Sequence, residues 1–159
     1  MSVAHSTSAS PPFATTAHSA PLTPFGTLTA SLIVRAACQG AMHVVSECLA
    51  GLARLPLRRV EEQIYGHGKY KSLHARCGLP QACYWTLQAA CDVAADERED
   101  GLRLSADEFG GRIIETLLTR YEAMPLAEQP RHLDFVGRYA AASARHLATR
   151  LRADLQRAA

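Results

Sequence analysis

The stretch Ser105-Ala106-Asp107-Glu108-Phe109-Gly110-Gly111-Arg112-Ile113-Ile114-Glu115-Thr116-Leu117-Leu118-Thr119-Arg120-Tyr121 decides the fold class. Ser105 and Glu108 have the capping-box spacing, in which each side chain accepts a backbone N–H at the start of a helix. Phe109, Ile113, Leu117 and Tyr121 then recur at every fourth residue, with Ile114 and Leu118 beside them, so a single apolar stripe runs along an α-helix. The same periodicity extends in both directions from Thr27 onward, and no stretch alternates as a half-buried strand would. The chain therefore reads as all-α: a compact bundle of about seven helices, with stacked helix pairs as the alternative arrangement.

Toward the N-terminus, the fifth helix is expected to open at Leu79-Pro80 and to carry Cys83, Leu87, Ala90, Cys91 and Ala94 on one side. It is expected to dissolve into Asp96-Glu97-Arg98-Glu99-Asp100-Gly101, read as a solvated loop. A short helix over 70–77 precedes it, capped at Gly78, where a left-handed residue is expected. Another short helix runs from Pro56 to Tyr65, because proline fits a first turn whose N–H needs no partner. Leu28, Leu32 and Ala36 open the first helix, and Val44, Val45, Cys48, Leu49 and Leu52 form the band of the second, after Gly40. Toward the C-terminus, Pro125 and Pro130 bracket a turn into one long last helix, Arg131 to about Arg157, with Val136, Ala140, Ala144, Leu147, Leu151 and Leu155 as its inward seam.

Residues 1–26 carry four prolines, many Ser and Thr, and no charge, so they read as a disordered tail, leaving 27–159 as a single helical domain. A length of 159 residues allows one domain of about 150. Apolar residues make up 48% and charged residues 20%, which suits a globular core. A formal charge of only +2 gives no electrostatic argument for a dedicated nucleic-acid binder. The five cysteines include no pair at C-x-x-C spacing, so neither a disulfide framework nor a paired-cysteine zinc motif follows. The N-terminus lacks the basic region of a secretory signal, and the most apolar window, Leu28 to Leu55, is interrupted by Arg35, His43, Glu47 and Arg54. The expectation is a cytoplasmic protein with no membrane span.

Few residues suggest chemistry. Gly66-His67-Gly68-Lys69 lacks the spacing and the preceding strand of a phosphate-binding loop and reads as a helix-to-helix turn. His67, His74, Cys77 and Cys83 supply zinc-competent donors, with His74 and Cys77 three apart on one helix; the competing reading is that the cysteines are small buried apolar residues. No nucleophile with a partnered base is recognisable, and no cofactor is expected. Charge is distributed more tellingly. Residues 92–108 hold seven acids against Arg98 and Arg103, a net −5. Arg131, Arg138, Arg145 and Arg152 recur every seventh residue, which on one long helix makes a basic stripe suited to a partner surface. The competing reading is a solvated face with internal ion pairs. Tyr84 and Trp85 read as core aromatics at helical spacing.

Leu52-Ala53-Arg54-Leu55-Pro56-Leu57-Arg58-Arg59-Val60, Ser72-Leu73-His74-Ala75-Arg76-Cys77-Gly78-Leu79-Pro80 and Glu108–Glu122 resemble an all-helical, repeat-like domain family of unknown function from alphaproteobacteria, over roughly residues 45–124. The resemblance implies a cytoplasmic bacterial scaffold with no catalytic residues to carry over. Together these readings lead to a non-enzymatic interaction module that binds another protein, or itself, through the basic C-terminal face, the acidic loop, or both. The alternatives are a small metal-dependent enzyme around His67, His74, Cys77 and Cys83, or a nucleic-acid binder using Arg58, Arg59, Lys69 and Lys71 in a helix-turn-helix over Pro56–Pro80.

Overall fold

The Ser105 capping box forms as its spacing requires. The Glu108 amide donates to Ser105 Oγ at 3.3 Å and the Ser105 amide donates to Glu108 Oε2 at 2.8 Å. In the computed structural model, which describes residues 24–158 with side chains from residue 29, the capped helix is the sixth of eight α-helices. They are α1 (Pro24–Cys38), α2 (Met42–Ala53), α3 (Leu57–Ile64), α4 (Tyr70–Cys77), α5 (Tyr84–Asp100), α6 (Ala106–Thr119), α7 (Gln129–Tyr139) and α8 (Ala142–Ala158), with 3₁₀ turns at Gln81–Cys83 and Leu126–Glu128. No strand occurs among the described residues. The tail expected over 1–26 lies outside the described residues up to residue 23, and α1 already begins at Pro24.

α5 is the central element. It packs against α1, α3, α4, α6 and α7. Its buried residues, among them Thr86, Leu87, Ala90, Cys91, Val93 and Ala94, face several directions, which is the pattern of a helix enclosed on most sides. The small side chains bring the surrounding helices close. Ile33, Leu49, Val60, Leu73, Leu87, Ile113 and Leu133 fill the space between them. The α1 register differs from expectation: Leu32 is 63% exposed, whereas Ile33, Val34 and Ala37 are buried. In α2, Val45 and Leu49 face the core and Val44 and Leu52 lie at its edge.

Two expected boundaries are corrected. The acidic run is not a loop, because α5 continues through it to Asp100 and stops at Gly101, whose φ of +65 is the left-handed conformation that glycine adopts at low cost. The acids are held there by tertiary partners: Arg120 Nη2 donates to Asp96 at 2.6 Å, the Leu104 amide donates to Glu97 Oε1 at 2.7 Å, and the Arg98 guanidinium lies 4.8 Å from the Tyr65 ring centre. Likewise the long last helix is two. The chain turns at Ala140, which is extended with φ −71 and ψ 171, and α8 folds back on α7. Asp107 at the start of α6 caps the new helix from a distance, its Oδ1 accepting from the Ser143 amide at 2.9 Å. The turn lets Val136 and Ala140 of α7 and Ala144 and Ala148 of α8 all be buried.

Candidate functional site

The four zinc-competent donors do not converge. His74 is buried with its Nδ1 3.1 Å from the Tyr70 hydroxyl and its ring edge-on to Tyr84 at 5.0 Å. The Cys77 thiol donates toward the Leu49 carbonyl at 3.6 Å, and the Cys83 thiol donates to the Pro80 carbonyl at 3.0 Å. Burial pushes both thiols up to about 11, away from the thiolate a metal requires. His67 sits apart, its Nε2 3.3 Å from Glu99 and 3.8 Å from Asp96. Among the described residues no group of three His, Cys, Asp or Glu side chains is placed to hold a metal ion.

The helix-turn-helix cations are partly claimed as well. Glu62 takes Arg58 at 3.5 Å and Arg59 at 3.2 Å, and the Gly66 carbonyl accepts from the Lys69 amide at 3.1 Å to close an ordinary turn.

The four arginines of the seven-residue repeat are divided between two antiparallel helices, Arg131 and Arg138 on α7, Arg145 and Arg152 on α8. They do not form one stripe. Asp134 joins two of them, taking Arg138 of its own helix at 2.6 Å and Arg152 across the hairpin. Arg131, Arg145 and Arg150 stand exposed, and among the described residues their guanidiniums have no ion pair or hydrogen bond. Close packing sets the hairpin: a Cβ on Gly137 would lie 3.3 Å from Thr149 Oγ1.

A second surface emerges where α4, α5 and the end of α6 meet. A groove of about 410 Å³ opens there, with Tyr84, Trp85 and Tyr121 among its lining. Tyr84 and Trp85 meet edge-to-face at 4.9 Å, and Trp85 and Tyr121 lie 5.0 Å apart, tilted by 39°. A hydrogen-bonded chain along α5 ties Tyr84 to Tyr121. The Tyr84 hydroxyl donates to Gln88 Oε1 at 3.3 Å, Gln88 Nε2 donates to Asp92 Oδ1 at 2.9 Å, and the Tyr121 hydroxyl donates to Asp92 Oδ2 at 2.6 Å. Burial, and then the bond to Asp92, drive the Tyr121 phenol far above its usual value, so it remains a donor. The rim carries His67, Lys71 and Arg120.

Sequence reasoning placed Tyr84 and Trp85 in the core, yet both are half-buried. The signal was present: Tyr84, Gln88 and Asp92 stand four apart, a polar stripe on an otherwise apolar helix. What that pattern lacks is Tyr121, which arrives from beyond α6. No protein-family model, curated protein or solved structure matches the chain, so the resemblance over residues 45–124 rests on its quoted phrases alone.

Proposed function

We propose that the chain is a non-enzymatic helical interaction module, acting in a bacterial cytoplasm, that captures an acidic protein partner through the α7–α8 hairpin. The supporting observation is the uneven neutralisation of that hairpin. From 129 to 158 there are six arginines against Asp134 and Asp154. Asp134 is consumed by two of them and Asp154 by Arg157, which leaves Arg131, Arg145 and Arg150 facing solvent. Three free guanidiniums on a packed two-helix frame can each fork onto a carboxylate. Leu147, 41% exposed and three residues before Arg150 on α8, adds an apolar contact beside that arginine. The acidic segment contributes less to binding, because Asp92, Asp96 and Glu97 already have partners inside the molecule. Among the described residues no helix is long and apolar enough to cross a membrane.

The test is affinity capture from cell extract with the full chain against its Arg145→Glu/Arg150→Glu form, helicity being checked by circular dichroism. One protein recovered stoichiometrically by the native chain, lost in the variant and weakened by salt, is the expected result. Equal recovery by both removes the hairpin as the contact, and recovery abolished by nuclease replaces the protein partner with nucleic acid. Sedimentation of the purified chain reads self-association separately.

A further inference from the structure

The groove beside α5 lies on other elements than the arginine hairpin, and its chemistry is different. Three aromatic rings in a half-buried row can serve a ligand in two ways, as a cage around a cation or as a wall for a flat ring. Ring centres at 4.9 and 5.0 Å leave no space for an ammonium between them. Lys71 and Arg120 at the rim would also repel one. The row is therefore no cage: Trp85, with Tyr121 tilted by 39° beside it, offers a face, and Tyr84 stands edge-on at its end.

Beneath it, Gln88 and Asp92 line the same groove. Each oxygen of Asp92 accepts one bond within the protein, and a carboxylate has about four acceptor sites, so two remain. The Gln88 amide nitrogen has one N–H on Asp92 and a second to give. Donor and acceptor thus sit side by side under an aromatic face, the arrangement that reads the edge of a stacked nucleobase. At the rim, the Lys71 ammonium has no ion pair or hydrogen bond among the described residues, and the Arg120 side chain gives one nitrogen to Asp96. These cations suit a phosphate. A volume of about 410 Å³ is within the range of small-molecule sites.

We infer that this groove binds a nucleoside monophosphate, its base stacked on Trp85 beside the tilted Tyr121, with its edge toward Gln88 and Asp92, and its phosphate held by Lys71 with Arg120. An aromatic peptide side chain lacks the hydrogen-bonding edge that the floor offers, and inorganic phosphate lacks the ring.

Trp85 is the single tryptophan of the chain, so its fluorescence reports the site directly. The full-length protein is titrated with AMP, GMP, CMP and UMP, and with adenosine, inorganic phosphate, tetramethylammonium and a single-stranded oligonucleotide as comparison probes. Saturable quenching by at least one monophosphate is expected. Lys71→Ala, at an exposed position, weakens that monophosphate about tenfold, leaves the nucleoside unchanged, and is restored in part by Lys71→Arg. Calorimetry on the same variants confirms the stoichiometry. The inference is overturned if no monophosphate binds, if Lys71→Ala binds as the native chain does, if tetramethylammonium alone quenches, or if only the oligonucleotide does.

Discussion

At the scale of single residues, Gly110 and Gly111 show how much a packed neighbour decides. Both are helical positions in α6, and both look alike in the sequence. A Cβ on Gly110 would lie 2.6 Å from the Ala144 Cβ and 3.3 Å from the Ala140 Cβ, so the hairpin would have to move away from α6. Gly110→Ala is expected to destabilise the fold by about 1–3 kcal/mol through overpacking. A Cβ on Gly111 meets nothing within 4 Å. Gly111→Ala is expected to stabilise by about 0.5–1 kcal/mol, since alanine loses less backbone entropy in a helix. Urea unfolding of the two variants beside the native chain gives opposite shifts of the midpoint at unchanged slope. Equal shifts would mean that the α6–α8 contact is looser than it is drawn. The sequence marks both positions as glycine and contains nothing that separates them, because the distinguishing atoms belong to Ala140 and Ala144, 30 and 34 positions away.

At the scale of elements, local signals were readable wherever the chain itself supplies the cap. Ser105 with Glu108, Pro56 before α3, and Gly78, with φ +64, after α4 are all written in a few neighbouring residues, and those helix ends fall within one residue of the pattern, Pro56 standing just outside α3 as its N-cap. The α7–α8 break was not readable, because it lies in the run Ala140-Ala141-Ala142, which by propensity alone would continue a helix. Its cap is Asp107, 36 residues upstream. The same holds for the acidic end of α5, whose helicity depends on Arg120 and on the Leu104 amide rather than on its own charges. Of the candidate site, the Tyr84, Gln88 and Asp92 spacing was legible, and its closure by Tyr121 was not. Removing the distant cap should therefore act on one element. Asp107→Ala is expected to cost about 1 kcal/mol and to raise amide exchange selectively in the first turn of α8. Ser105→Ala is expected to cost a similar amount and to raise exchange in α6. If Asp107→Ala leaves the exchange of Ser143 unchanged, the turn is held by packing alone.

At the scale of the whole molecule, two buried histidines couple the fold to pH. His132 is fully enclosed, its Nδ1 2.9 Å from Thr86 Oγ1, and it joins α7 to α5. His74 joins α4 to Tyr70 and Tyr84. Burial lowers the pKa of both below the usual 6.5; Glu128, 3.7 Å from His132 Nε2, partly offsets this, as do the carbonyls of Leu79 and Pro80 near His74. Arg131 pushes His132 further in the same direction as burial. The unfolded chain therefore takes up protons on these two side chains at a higher pH than the native one does. Stability from this source is complete above 6.5, begins to fall as pH drops through that value, and is lost once pH is below the two lowered native values. Two protons set an upper limit of about 2.7 kcal/mol per pH unit on the slope. Glu108, whose carboxyl is lowered from 4.5 by its bonds to Ser105, enters only below that value, so the histidine decline begins before it as pH falls. Urea midpoints measured between pH 8 and 5 are expected to be flat at first and then to decline, with the decline roughly halved in His132→Asn. A native chain whose stability stays level through that range would mean that both imidazoles already carry their protons inside the fold, with Glu128 and the Leu79 and Pro80 carbonyls outweighing burial.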